Sequence, residues 1–227
     1  MWRSYDEAGG IRDQMYQLAR RNPQLVKLVV LGRTHQGREY IALKLTQDAR
    51  EVPDGSRPAV LYAATHHARE WWISTEVDRR LLNWYIDRWR ANDRDVRRLL
   101  KDNELWFVLV HNPDGYQYTF DVERLWRKNL RDNDGSGTTT ANDGVDPNRN
   151  YNEHWNYDEE GSSSLFPSLT YRGPAPESEP ETQAMVRLFD RVPFRFAISY
   201  HSFGPLLLYP QDGRRSRPRP TTPSTSP

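Results

Sequence analysis

Cysteine is absent from this chain of 227 residues. Disulfide bridges, thiolate metal sites and cysteine nucleophiles are thereby excluded. The compartment stays open, because a large secreted protein can fold without bridges. A surplus of charge is missing too: 32 basic residues against 31 acidic ones leave a formal net charge of +1. So small a balance sets up no overall field to gather nucleic acid or an anionic membrane, and neither is expected as a partner. No apolar run reaches the length of a membrane span. The opening Met1-Trp2-Arg3-Ser4-Tyr5-Asp6 holds no apolar core of a leader, so no signal peptide is expected in this chain. A G-x-S-x-G elbow is also lacking, which removes the commonest serine-hydrolase reading.

What is present is a globular composition, 36% hydrophobic and 12% aromatic, at a length that fits one large domain with a substantial core. Ile11, Met15 and Leu18 recur at helical spacing ahead of Pro23, which predicts a helix over about 6–21. Val26–Leu31 and Tyr40–Leu45, parted by Gln36-Gly37-Arg38, read as a hairpin or neighbouring strands. The runs 58–64, 105–110 and 194–200 read as strands buried on both faces. Val77, Leu81, Trp84 and Tyr85 mark a helix between the first two of these runs, ending before Asn92. Asn112-Pro113-Asp114-Gly115 reads as a turn. Residues 131–175 read as an irregular region, of a length that is usually functional. Ser178 and Glu181 have the spacing of a capping box ahead of a helix through Met185, Leu188 and Phe189. Alternating strands and helices predict an α/β fold: a mixed, largely parallel sheet flanked by helices on both faces. Residues 1–210 read as one domain; 211–227, rich in Arg, Pro, Ser and Thr, read as a disordered tail unable to offset its ordering entropy.

His66-His67-Ala68-Arg69-Glu70 follows one buried run, and His201 follows another. In open α/β sheets ligands bind beyond the carboxyl ends of strands, so parallel strands would bring His67, Glu70 and His201 together. Two imidazoles and a carboxylate with an open position make a catalytic zinc shell. An H-x-x-E alone is common by chance, and the placement of both segments after strands is what points to a metal. His66 is expected to pack or support, because adjacent side chains point apart. His35, His111 and His154 have no role that spacing supports.

His67-Ala68-Arg69-Glu70-Trp71 resembles the zinc-binding segment of carboxypeptidases A, B and T. Trp126-Arg127-Lys128, Gly144-Val145-Asp146-Pro147-Asn148-Arg149-Asn150 and His201-Ser202-Phe203 with Leu206-Leu207-Leu208-Tyr209-Pro210 resemble further segments of that family in order. Asn112-Pro113-Asp114-Gly115 and Tyr171-Arg172-Gly173-Pro174 do so as well, and the doubled His66-His67 is most similar to the bacterial carboxypeptidase T type. The resemblance implies one zinc ion on His67, Glu70 and His201, and Arg127 facing the oxyanion of the reaction. It further implies Arg69, Asn148 and Arg149 as binders of a peptide's terminal carboxylate, with Asp146 accepting a hydrogen bond from His67. The substrate implied is the C-terminus of a peptide or protein, the molecule is expected to be a monomer, and the family suggests secretion.

The family's general-base glutamate, its substrate-capping tyrosine and its last strands and helix lie beyond the Leu-Leu-Tyr-Pro segment. Here no glutamate follows Glu181. The expectation is a carboxypeptidase domain incomplete at its C-terminus, with impaired activity, since loss of a general base costs on the order of 10²–10⁴ in rate. The alternatives are a zinc-binding pseudoenzyme and a related zinc amidohydrolase acting on small acylated amino acids or cell-wall peptides.

Overall fold

The computed structural model describes residues 3–204 and 206–208. The expected tail 211–227, and Tyr209-Pro210 of the last motif, lie outside the described residues. In chain order the elements are α1 (Ile11–Arg21), β1 (Val26–Arg33), β2 (Glu39–Leu45), β3 (Ala59–Ala64), α2 (Ser74–Arg90), α3 (Arg94–Asp102), β4 (Glu104–Val108), α4 (Pro113–Asp121), α5 (Pro180–Arg191) and β5 (Phe194–Tyr200). Short 3₁₀ turns cover Ala68–Glu70 and Pro147–Arg149.

The strands form one mixed sheet in the order β1-β2-β4-β3-β5. β1–β2 and β2–β4 run antiparallel, whereas β4–β3 and β3–β5 run parallel. Alternation along the strands sorts the core into two layers. Leu43, Leu45, Leu105 and Phe107 pack with Met15 of α1, Leu82 and Ile86 of α2, and Val96 and Leu100 of α3. Tyr40, Ala42, Leu61, Trp106 and Val108 face the other way, onto Ala184, Met185 and Leu188 of α5. Each such fully buried Leu contributes roughly 1.5–3 kcal/mol. Helices therefore cover both faces, as expected, and the parallel trio β4-β3-β5 delivers its carboxyl ends to one edge.

Several expectations need correction. α1 starts at Ile11, after Gly9-Gly10, two poor helix formers. α2 buries Ser74, Thr75, Asp78, Leu82 and Ile86, while Val77 and Trp84 of the expected stripe are exposed. Ser74 and Thr75 go inside because their hydroxyls bond the Thr65 hydroxyl at the end of β3, a pairing that hydropathy does not register. α3 was not anticipated; its sequence is mostly charged, and Asp93 caps it by accepting from the backbone N–H of Asp95 and Val96. Asn112-Pro113-Asp114-Gly115 is the start of α4, with Asn112 as cap, rather than a turn, since cap and turn chemistry use the same residues. The residue before α5 is Glu179, and Ser178 donates to the Glu179 carboxylate instead of forming a capping box with Glu181. β5 is an edge strand with Phe196 57% exposed, not a strand buried on both faces.

Candidate metal centre

The sheet edge builds the site through two chain reversals. After β3, Thr65 adopts φ 57°, a left-handed backbone that a β-branched residue rarely takes. Its hydroxyl is held by Ser74 and Thr75, which fixes the turn that carries His66 and His67 off the sheet. The 3₁₀ turn Ala68–Glu70 follows, anchored by the Ala68 N–H donating to Arg127 O at 3.0 Å. It brings the Glu70 carboxylate to 2.8 Å from His67 Nδ1. His201 leaves the end of the parallel neighbour β5, with its Nδ1 3.0 Å from Glu70 Oε2 and 3.2 Å from His67 Nδ1.

Three donors thus converge from two strand ends, as the sequence predicted. The tautomer of His67 follows from its far side. Nε2 lies 3.1 Å from Asp146 Oδ1 and Nδ1 2.8 Å from Glu70 Oε1, so with a metal on Nδ1 the remaining proton would sit on Nε2 and go to Asp146. His201 Nε2 lies 3.1 Å from Ser199 Oγ, a hydroxyl that can donate or accept. Two imidazole nitrogens and a carboxylate facing one point fit a divalent cation, and the set of two histidines and one glutamate fits zinc.

The electrostatics are consistent with that fit. Burial opposes charge on Glu70, yet hydrogen bonds from His201 and His67 outweigh it and hold its carboxyl down to about 2. Burial likewise opposes charge on Asp146, and contacts with His67, Arg127 and Arg149 overcome it, placing the carboxyl well below the usual carboxylate range. For His67, burial is outweighed by Asp146 and Glu70, which raise its proton affinity.

Arg127 clasps Asp146, with Nε at 3.1 Å and Nη2 at 2.7 Å from Oδ2, and its Nη1 reaches to 4.0 Å from Glu70 Oε1. Asp146 also accepts the Asn148 N–H at 2.9 Å, fixing the turn that carries Asn148 and Arg149. Those two residues line a surface depression of about 610 Å³ shared with Tyr157 and Ser162. Arg149 itself donates to the carbonyls of Gly161 and Asn148. Arg69 is not drawn into this group; it donates to Leu125 O at 3.4 Å.

Behind the ligands lies a set of side chains that spacing alone did not assign. His66 stacks on His111 at 4.0 Å between ring centroids, and His111 Nδ1 lies 2.7 Å from the buried Tyr40 hydroxyl. Burial drives His66 well below the ordinary histidine range and His111 down to about 3, so both stay neutral. Ser199 Oγ bridges His66 Nδ1 and His201 Nε2. Its signal was its position two residues before His201, on the same side of a strand.

The zinc carboxypeptidase family model matches residues 11–225. The chain is 35% identical to zinc carboxypeptidase A 1 of Drosophila melanogaster over 212 residues, covering 92% of this chain and 46% of that protein. It is 33% identical to carboxypeptidase B of Rattus norvegicus over 211 residues, covering 91% and 47%. Among solved structures it resembles bovine thrombin-activatable fibrinolysis inhibitor in complex with tick carboxypeptidase inhibitor, with a TM-score of 0.76 at 27% identity, covering 96% of this chain and 67% of that one. It also resembles carboxypeptidase A of Helicoverpa armigera, with a TM-score of 0.70 at 29% identity, covering 89% and 46%. The chain spans about half the length of these curated relatives. With its mixed sheet, its convergent His67, Glu70 and His201, and a match across nearly all of its length, this chain belongs to the zinc carboxypeptidase family.

Proposed function

We propose that this chain carries the metal and substrate-clamping half of a carboxypeptidase site, for zinc-dependent release of the C-terminal residue of a peptide. The observation that carries the reading is the meeting of His67, Glu70 and His201 beside an arginine held in place by Asp146. Zinc on these donors would supply an activated water and polarise the scissile carbonyl.

The chain's own residues have distinct tasks in this reading. Arg127 keeps one guanidinium nitrogen beside Glu70, where it can meet negative charge developing on the carbonyl oxygen. Because Asp146 fixes that guanidinium beforehand, little reorganisation is needed as the charge appears. Asn148 and Arg149 take the terminal carboxylate, and a planar guanidinium suits it because it can donate two parallel bonds. Arg149 must exchange its bonds to the Gly161 and Asn148 carbonyls for the substrate. Arg69 would assist only after leaving Leu125 O.

Asp146 does not serve as the base. One of its oxygens accepts from His67 and the Asn148 N–H, and the other accepts twice from Arg127. That saturation favours metal binding with weak catalysis, the pseudoenzyme limit of the same reading.

The test pairs zinc content with hydrolysis of a blocked dipeptide and of its C-terminal amide. One zinc per chain, lost on Glu70→Gln, with slow cleavage confined to the free carboxylate, is expected. Equal cleavage of the amide would remove the carboxylate clamp, and a chain with no zinc would remove the metal reading.

A further inference from the structure

His201 turns one ring nitrogen to the donor group and the other to a side chain outside it. Nδ1 lies 3.0 Å from Glu70 Oε2 and 3.2 Å from His67 Nδ1, so Nδ1 is the atom that faces the metal position. A neutral imidazole that gives its Nδ1 lone pair to a metal carries its proton on Nε2. Nε2 lies 3.1 Å from Ser199 Oγ, so in a loaded site the serine accepts from His201. A hydroxyl that accepts still has one hydrogen to place. The second neighbour of Ser199 Oγ is His66 Nδ1, also at 3.1 Å.

His66 is built to end this relay. It is 4% exposed, and its ring stacks on His111 at 4.0 Å between centroids with 17° between the planes. Burial keeps the ring neutral, which leaves it one lone-pair nitrogen to offer. Its main chain is pinned as well, because Asn112 Nδ2 donates to His66 O at 3.3 Å and to Lys128 O at 3.0 Å. Behind it, His111 Nδ1 lies 2.7 Å from the hydroxyl of Tyr40 on β2. The acceptor is therefore anchored to interior strands, whereas Ser199 lies on the outermost strand, β5, and His201 follows its end.

We propose that His66 is a positioning residue for the zinc centre: by accepting from the Ser199 hydroxyl it turns a serine lone pair to His201 Nε2 and so commits His201 Nδ1 to the metal. This rests on the zinc reading above. The direction of each bond decides the outcome. A serine that donated to His201 Nε2 would leave the imidazole proton on Nδ1, where it blocks the donor position. His66 removes that arrangement by taking the one hydrogen the hydroxyl has. Both members of the doubled histidine then serve one ion, His67 by direct ligation and His66 through Ser199.

The test is the zinc affinity of the full chain, read by competition with a chromophoric chelator, in variants that separate the acceptor from the ring. His66→Phe keeps a ring to stack on His111 and has no acceptor. His66→Asn gives up the stacking and keeps an acceptor near the place of Nδ1. His66→Phe is expected to weaken zinc about fivefold, less than the loss of a charged partner would, and His66→Asn to stay within about twofold of the wild type. Ser199→Ala is expected to match His66→Phe, and the double variant to be no weaker than either alone, because both remove one relay. Losses that multiply in the double variant, or an affinity that follows the ring rather than the acceptor, overturn the relay while leaving the zinc site in place. A wild-type chain that takes up no zinc overturns both.

Discussion

Asp146 joins His67, Arg127 and the Asn148 turn through one side chain. Fully buried, it orients His67, restrains Arg127 and caps the turn bearing Asn148 and Arg149. Removing its charge while keeping its shape weakens its hold on His67 and on Arg127 together. Asp146→Asn is expected to lower zinc affinity 10–100-fold, read by competition with a chromophoric chelator. Ser199→Ala should weaken zinc less, because the serine is a neutral partner of His201. An Asp146→Asn chain with wild-type affinity would show that the tautomer of His67 is set elsewhere. Glu181 poses a separate question at the same scale. Its Oε1 is buried without a partner and Oε2 receives only a 3.4 Å bond from Asn129. Burial, with Asp114 and Glu179 adding to it against His35, pushes its carboxyl up to about 8 from 4.5. Between those two values the unfolded chain releases a proton that the folded chain keeps. The stability that this group contributes should therefore be fullest below about pH 4.5 and decline as pH rises towards 8, by at most about 1.4 kcal/mol per pH unit. Glu181→Gln should flatten that part of the profile in urea denaturation between pH 5 and 8, and parallel profiles for the two chains would refute it.

Helix starts show how much two caps of one kind can differ. Asp93 is half-buried, caps α3 and otherwise makes only a long ion pair with Arg88, so Asp93→Ala is expected to cost about 1 kcal/mol in chemical denaturation. Asn112 caps α4 by accepting from the Gly115 N–H, and its amide also donates to the carbonyls of His66 and Lys128. Asn112→Ala leaves those buried carbonyls unpaired and is expected to cost several times more, roughly 2–4 kcal/mol. Equal losses would mean the cross-links to His66 and Lys128 carry no weight. Gly144, at φ 79°, is a tighter constraint: an added Cβ would lie 2.4 Å from Asn129 O, so any side chain there must push Gly144 and Asn129 apart. Much of this layer was legible beforehand. Strands with uninterrupted apolar runs, such as Leu105 to Val108, were found because burial on both faces leaves no ambiguity of period. The convergence of His67 and His201 was legible because each follows the end of a strand, and the two strands proved parallel neighbours. α3 escaped because only Val96 and Leu100 of its nine residues are buried. The buried face of α2 escaped because Thr75 and Asp78 lie on it, and a hydroxyl that is satisfied inside looks the same in sequence as one in water. Arg69 was grouped with the clamp by likeness, but its side chain follows the Leu125 carbonyl, a contact no local pattern encodes.

At the scale of the molecule, the sheet is well covered at β2, β4 and β3, less so at β1 and thinly at β5. Phe196 and Trp72 are more than half exposed, and Leu206, Leu207 and Leu208 more so. Apolar surface of this kind beside a strand edge that no described residue pairs invites association. The chain is expected to bind a hydrophobic dye and to associate with rising concentration in sedimentation, and Phe196→Lys should reduce both. A dye-silent monomer at all concentrations would contradict this. Among the described residues β5 pairs with β3 alone. Yet His201, at the end of that strand, shares its donor group with His67 at the end of β3. An ion gripped by both histidines would therefore clamp the outermost strand to the interior one at its far tip. The backbone amides of 196–200 should then act as an occupancy gauge, exchanging slowly with deuterium in the zinc-loaded chain and quickly after chelation, while those of Leu105 to Val108 barely change.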